Sequence, residues 1–229
     1  FRVPAVLTTL VVGTAGAAAC GANGTATTAA PERPKATATA ARPAPSPTKR
    51  AVPRAADLPR HAVAGEERPA LGAAGTMAAG YTGREFVTGL AKDWKLRLGE
   101  PVEQEMPDGK KKTYVNGTSE SGISLSAGYA DHENMSSLLC RTDANRSEDF
   151  AFLTACTRLD VKGVDHAKAS SWLEQARKET DSLYVKKVAQ TGNKKEYVVS
   201  GVFTSGPVAM VLHRAFGTYS LRILGDAVA

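Results

Sequence analysis

The chain has 229 residues, 42% of them hydrophobic, and a formal net charge of +6. That charge is unevenly laid, at +1 over residues 1–20, +4 over 21–75 and +1 over 76–229, and both Trp, all six Tyr and five of the six Phe lie beyond Gly80. Only the last ~150 residues can build a core, a usual size for one domain, and their near-neutrality excludes a nucleic-acid-binding domain from the leading readings.

Residues 3–19, VPAVLTTLVVGTAGAAA, carry no charge. A membrane-spanning helix needs about 20 strongly apolar residues, and Thr, Gly and Ala dilute the second half of this run. It fits the apolar part of a signal peptide over residues 1–19, with small residues ahead of a cleavage point. Phe1 stands where a Met would open a chain and Arg2 is the one basic residue ahead of the run, so a missing N-terminal piece is expected.

Residues 20–75 begin at Cys20 and continue as an Ala/Pro/Thr-rich stretch without aromatics. Apolar burial cannot repay chain entropy in such a segment, so a disordered linker is expected. Its reach is ~40 Å as a coil and ~170 Å when fully extended. A basic linker can also lie against an anionic membrane or wall polymer.

From residue 76 the pattern becomes that of a single α+β domain. Thr82-Gly83-Arg84-Glu85 has the spacing of a capping box, and Phe86, Leu90 and Trp94 recur every fourth residue as one face of a short helix. Asp108-Gly109 signals a hairpin. Strands are expected near 110–118, at 123–128, where apolar and small polar residues alternate, and at 135–141, with turns at 119–122 and 131–134. Ser147, or Asn145 with Glu148, can cap a helix over 147–160. Asp165 caps a second near 166–182. Tyr184–Ala189, Glu196–Thr204, Val208–Ala215 and Tyr219–Leu224 read as a closing antiparallel meander. The expected order is helix, strands, two helices, strands: one antiparallel sheet, or two related halves, packed by about three helices.

The chain has three cysteines: Cys20, Cys140 and Cys156. In an oxidising compartment an odd thiol calls for a separate role. If Cys20 has a role of its own, Cys140 and Cys156 can pair across the turn that folds the 147–160 helix back onto the preceding strand.

Candidate chemistry is sparse. Asp131-His132-Glu133 is the densest set of potential metal ligands, but adjacent residues point in different directions, so a solvated turn is expected and no metal or cofactor. His61, His166 and His213 stand alone in the sequence. Lys110-Lys111-Lys112 can touch an anionic polymer or guard a sheet edge. No HExxH, CxxC, phosphate loop or nucleophile elbow is present.

Ala17-Ala18-Ala19-Cys20 resembles a bacterial lipobox, with Ala17 at the position that family fills with Leu. Together with the Ala/Pro/Thr linker and one Cys pair, it resembles exported lipoproteins of high-GC Gram-positive bacteria. The resemblance implies acylation of Cys20 and a place on the extracytoplasmic face of the cell membrane. Ordinary cleavage after the A-x-A triplet would instead give a secreted protein. The expected function is a non-catalytic binding or interaction domain, with a cell-wall polymer or protein as partner. The alternative is an envelope hydrolase whose site is assembled from scattered residues around His213 or the Asp131–Glu133 turn.

Overall fold

Alternating apolar residues in the C-terminal two-thirds of the chain pair into an antiparallel sheet. The computed structural model describes residues 53–65, 71, 74–106, 109–131 and 133–228, all within the compact unit Thr48–Ala229. The uncharged run, Cys20 and the linker up to residue 52 lie outside the described residues, as does His132.

The elements run β1 (Val63–Ala64), α1 (Arg84–Asp93), β2 (Arg97–Leu98), β3 (Val102–Glu105), β4 (Lys111–Thr118), β5 (Ser124–Ala130), β6 (Asn134–Asp143), α2 (Phe150–Cys156), α3 (His166–Thr191), β7 (Tyr197–Val199), β8 (Phe203–Ser205), β9 (Val208–Ala215) and β10 (Thr218–Gly225). This is the expected α+β class. It forms one sheet, in the order β1-β7-β9-β10-β6-β5-β4-β2, with β3 beside β4 and β8 beside β9. Two meanders therefore meet at the β6–β10 pair.

Register decides which side chains meet the helices. Tyr219, Leu221 and Ile223 lie opposite Arg214, Leu212 and Met210 on β9, and opposite Thr142, Cys140 and Leu138 on β6. All are buried. Many of them join Val87 and Leu90 of α1, Phe152 and Leu153 of α2 and Leu173 of α3 in one core. The other face carries the half-buried Ser220, Arg222, Ser137, Leu139 and Ser126 beside the buried His213, Val211, Ala209 and Leu224. An antiparallel sheet with one face packed and one more polar is the common outcome of period-2 alternation.

Several local expectations are corrected. Tyr184–Ala189 is helix, because α3 continues unbroken to a left-handed cap at Gly192, where φ is 68°. Leu183, Tyr184, Lys187 and Val188 fall at i, i+1, i+4 and i+5, a helical stripe that also reads as a strand over a short window. Asp165 does cap α3, accepting a hydrogen bond from the Lys168 amide at 3.0 Å. The stretch 196–204 divides into β7 and β8 where the Leu212 amide donates to Ser200 Oγ and the Val202 amide turns to Pro59 O. The 147–160 helix is a 3-10 turn at Ser147–Asp149 followed by α2, which ends at Cys156. The capping box does not form: Gly83, at φ 59°, is the N-cap of α1, and Thr82 Oγ1 accepts from the Arg84 amide at 3.5 Å.

The linker was expected to extend to residue 75, yet residues 53–65 are packed. A 3-10 turn at Ala55–Asp57 precedes the buried Leu58, and β1 pairs with β7. The Val202 amide donates to Pro59 O at 2.8 Å. Gly201 permits this approach, since a Cβ there would sit 2.3 Å from the carbonyl carbon and oxygen of Arg60. Backbone pairing holds this segment, and composition gives little sign of backbone pairing. The β9–β10 hairpin turns on Phe216 and Gly217, both left-handed at φ 50° and 78°, as a tight hairpin with the sheet's twist requires.

Cys140 on β6 and Cys156 at the end of α2 form a disulfide, with Cα atoms 6.8 Å apart. It fastens α2 to the centre of the sheet, as the sequence led one to expect.

Candidate functional site: a groove beside a stack of rings and guanidiniums

Helical spacing sets up the site. On α2 and just past its end, Ala151, Thr154, Ala155 and Arg158 follow one another at three- and four-residue steps, so they share a face. On α3, Glu174, Arg177 and Asp181 do the same. The loop between the helices is anchored by buried Leu159, Val161 and Val164, and the Asp165 amide donates to Ser205 Oγ at 2.8 Å. This brings the two faces together.

Between them runs an open groove of about 490 Å³. Trp94, Phe150, Ala151 and Ala155 give it apolar surface, and Arg158, Glu174 and Arg177 give it charge. Trp94 caps α1 and meets Phe152 edge to face at 5.4 Å. That contact fixes the ring at the groove wall.

Behind the groove the rings and cations alternate. The Arg177 guanidinium lies 4.3 Å from the Phe150 ring centre and 6.0 Å from that of Tyr219. Arg214 follows at 5.0 Å from Tyr219 and 4.3 Å from Tyr184. These distances suit attraction between a cation and the negative face of a ring. Asp181 serves both cations. Its Oδ1 is 3.3 Å from Arg214 Nε and its Oδ2 is 4.0 Å from Arg177 Nε. The Tyr219 hydroxyl donates to the same Oδ1. Burial, and then the hydrogen bond to Asp181, push the Tyr219 phenol up to about 12. One carboxylate thus faces two guanidiniums, and positive charge is left over at the groove end of the stack.

The residues singled out in the sequence do not converge. His213 is buried on β9, hydrogen-bonded through Nδ1 to the Tyr197 hydroxyl. It lies opposite Ser220, and Ser220 lies opposite Arg141 near the far end of β6. Asp131 and Glu133 flank the turn that opens β6 at Asn134. A separation of seven residues along a strand is about 23 Å, so His213 and that turn sit towards opposite ends of the sheet. His132 is outside the described residues. Among the described residues no group of three His, Cys, Asp or Glu is placed to hold a metal ion. His61 lies 3.7 Å from Glu179, and the His166 ring 3.4 Å from Thr157 O. Lys111 pairs with Glu103 at 3.5 Å, and Lys112 donates to Ala74 O at 3.0 Å.

The groove residues escape sequence reading because they come from three elements. Trp94 and Phe150 read as core positions, and Arg158, Glu174 and Arg177 read as solvated charges. A visible clue was the Glu174, Arg177, Asp181 spacing, which puts the three on one helix face.

No helix among the described residues is long and apolar enough to cross a membrane. No family model matches the chain, no curated protein matches it, and no solved structure matches it.

Proposed function

We propose that this chain is an extracytoplasmic lipoprotein, held to the cell membrane by acyl chains on Cys20, whose folded domain binds a partner without turning it over. The observation that carries the reading is the pairing of the cysteines. Cys140 and Cys156 are joined, so the one cysteine left over is Cys20, directly behind an uncharged run that ends in three alanines. Disulfides persist in oxidising compartments, which supports export, and lipidation gives the remaining thiol a use. The groove between α2 and α3 supports a binding role, with a cell-wall polymer fragment or a protein as partner.

The test is metabolic labelling with a palmitate analogue in a Gram-positive host. Wild-type protein is expected to take the label and to sediment with membranes, and Cys20→Ser to lose both. Unlabelled wild-type protein in the medium would contradict the anchor. The hydrolase alternative is tested in the same preparations with ester, peptide and glycoside substrates. Turnover abolished by His213→Ala would replace the binding role with catalysis.

A further inference from the structure

We propose that the groove between α2 and α3 binds a small organic anion with a flat apolar body, its acidic group held by Arg158 and Arg177 and its body laid against Trp94 and the Ala151–Ala155 strip. This rests on the binding half of the reading above and is independent of the lipid anchor.

Size sets the ligand class first. A groove of about 490 Å³ falls in the range of small-molecule sites. Charge sets it next. Three guanidiniums, Arg158, Arg177 and Arg214, face two carboxylates, Glu174 and Asp181, across the groove and the stack behind it. Asp181 is closer to Arg214, at 3.3 Å, than to Arg177, at 4.0 Å. Arg177 contacts Asp181 and the Tyr219 hydroxyl, and its five N–H donors exceed those two contacts. Its position over Phe150 holds the guanidinium plane, and a held fork suits a planar carboxylate or a sulfonate better than a mobile ammonium would. Arg158 is exposed on the rim. Shape completes the argument. Trp94 is half-buried and fixed by Phe152, and the alanines beside it leave a low floor on which a ring can lie.

The groove's single carboxylate, Glu174, opposes an anion, which gives the proposal a second handle. Neutralising Glu174 must strengthen binding if the ligand is anionic and must weaken it if the ligand is a cation held there.

The experiment uses the full chain carrying Cys20→Ser, so that no lipid is present, and naphthalene sulfonate as the probe. Binding is followed by the indole N–H resonances of the two tryptophans. The Trp94 signal is expected to shift saturably, while that of Trp172, stacked on Phe203, stays in place. Arg158→Ala should weaken binding about tenfold, the effect of losing one charge-assisted contact. Glu174→Gln should tighten it, and a neutral hydroxymethyl naphthalene should bind more weakly than the sulfonate. Preserved dispersion of the spectrum shows that each variant is folded. A Trp94 signal that does not move, an Arg158→Ala protein that binds as wild type does, or weaker binding in Glu174→Gln would each overturn the proposal. The sample cannot be acylated, so a failure here leaves the anchor standing, and a failure of palmitate labelling leaves the groove standing.

Discussion

Arg214 of β9 reaches Asp181 of α3 at 3.3 Å with only 11% of its side chain exposed. The contact joins the second half of the long helix to the sheet, beyond Thr180, the last fully buried residue of α3. Removing the carboxylate leaves Arg214 enclosed between the Tyr184 and Tyr219 rings without its ion pair, and deprives the Tyr219 hydroxyl of its acceptor. Asp181→Ala is expected to cost about 2 kcal/mol, less than the loss from a fully enclosed pair because Asp181 itself reaches solvent. Urea unfolding at neutral pH measures it. A loss below about 0.5 kcal/mol would place the contact with ordinary surface pairs.

The same cluster predicts how the protein responds to alkali. Burial raises Tyr219 and Tyr81 to about 12, with the Asp181 hydrogen bond second for Tyr219 and the Asp160 charge second for Tyr81. A tyrosine that holds its proton more tightly in the folded state contributes stability in full below the unfolded pKa of about 10, and loses it as pH rises through about 12. Unfolding midpoints should fall between about pH 10 and about pH 12, and phenolate absorbance should show late-titrating tyrosines. Tyr219→Phe should flatten the fall. A midpoint constant across that window would show that neither phenol is held.

The disulfide closes a short loop, with its cysteines 16 positions apart. Replacing both with alanine should cost about 3 kcal/mol through the freer unfolded chain. The double variant should still fold, since α2 keeps Phe150, Phe152 and Leu153 in the core. Thermal unfolding of the double variant beside wild type gives the number, and an unchanged midpoint would mean the bridge adds nothing.

How much of this was legible depended on the kind of signal. The alternation over 123–128 and the cap at Asp165 are local, and both gave the right elements. The Cys140–Cys156 pairing followed from compartment and proximity. Tyr184–Ala189 was misread because six residues satisfy either period, and only the distance to the next breaker, Gly192, separates helix from strand. β1 and β2 were invisible because two-residue edge strands are held by backbone bonds to a neighbour distant in sequence, and of β3 only the Asp108-Gly109 hairpin signal beyond its end was legible. Tertiary arrangement alone makes the groove, from Trp94, Arg158 and Arg177 on three elements.

Backbone pairing of residues 53–65 yields a further prediction. Gly201→Ala places a methyl group against the Arg60 carbonyl and should loosen β1 from β7. Trypsin cleavage after Arg54 and Arg60 should then be several-fold faster than in wild type, with cleavage within β9 and β10 unchanged. Equal rates at Arg60 in both proteins would mean that this segment is not held by its contact with Gly201.

The central claim is that Cys20 carries the anchor. Its most direct measurement is the intact mass of the mature protein recovered from membranes of an expressing Gram-positive host, with the N-terminal peptide sequenced by fragmentation. The account predicts a chain that begins at Cys20, with the mass of a diacylglyceryl group on its sulfur. A chain that begins elsewhere, or a Cys20 N-terminus with a free thiol, would contradict it.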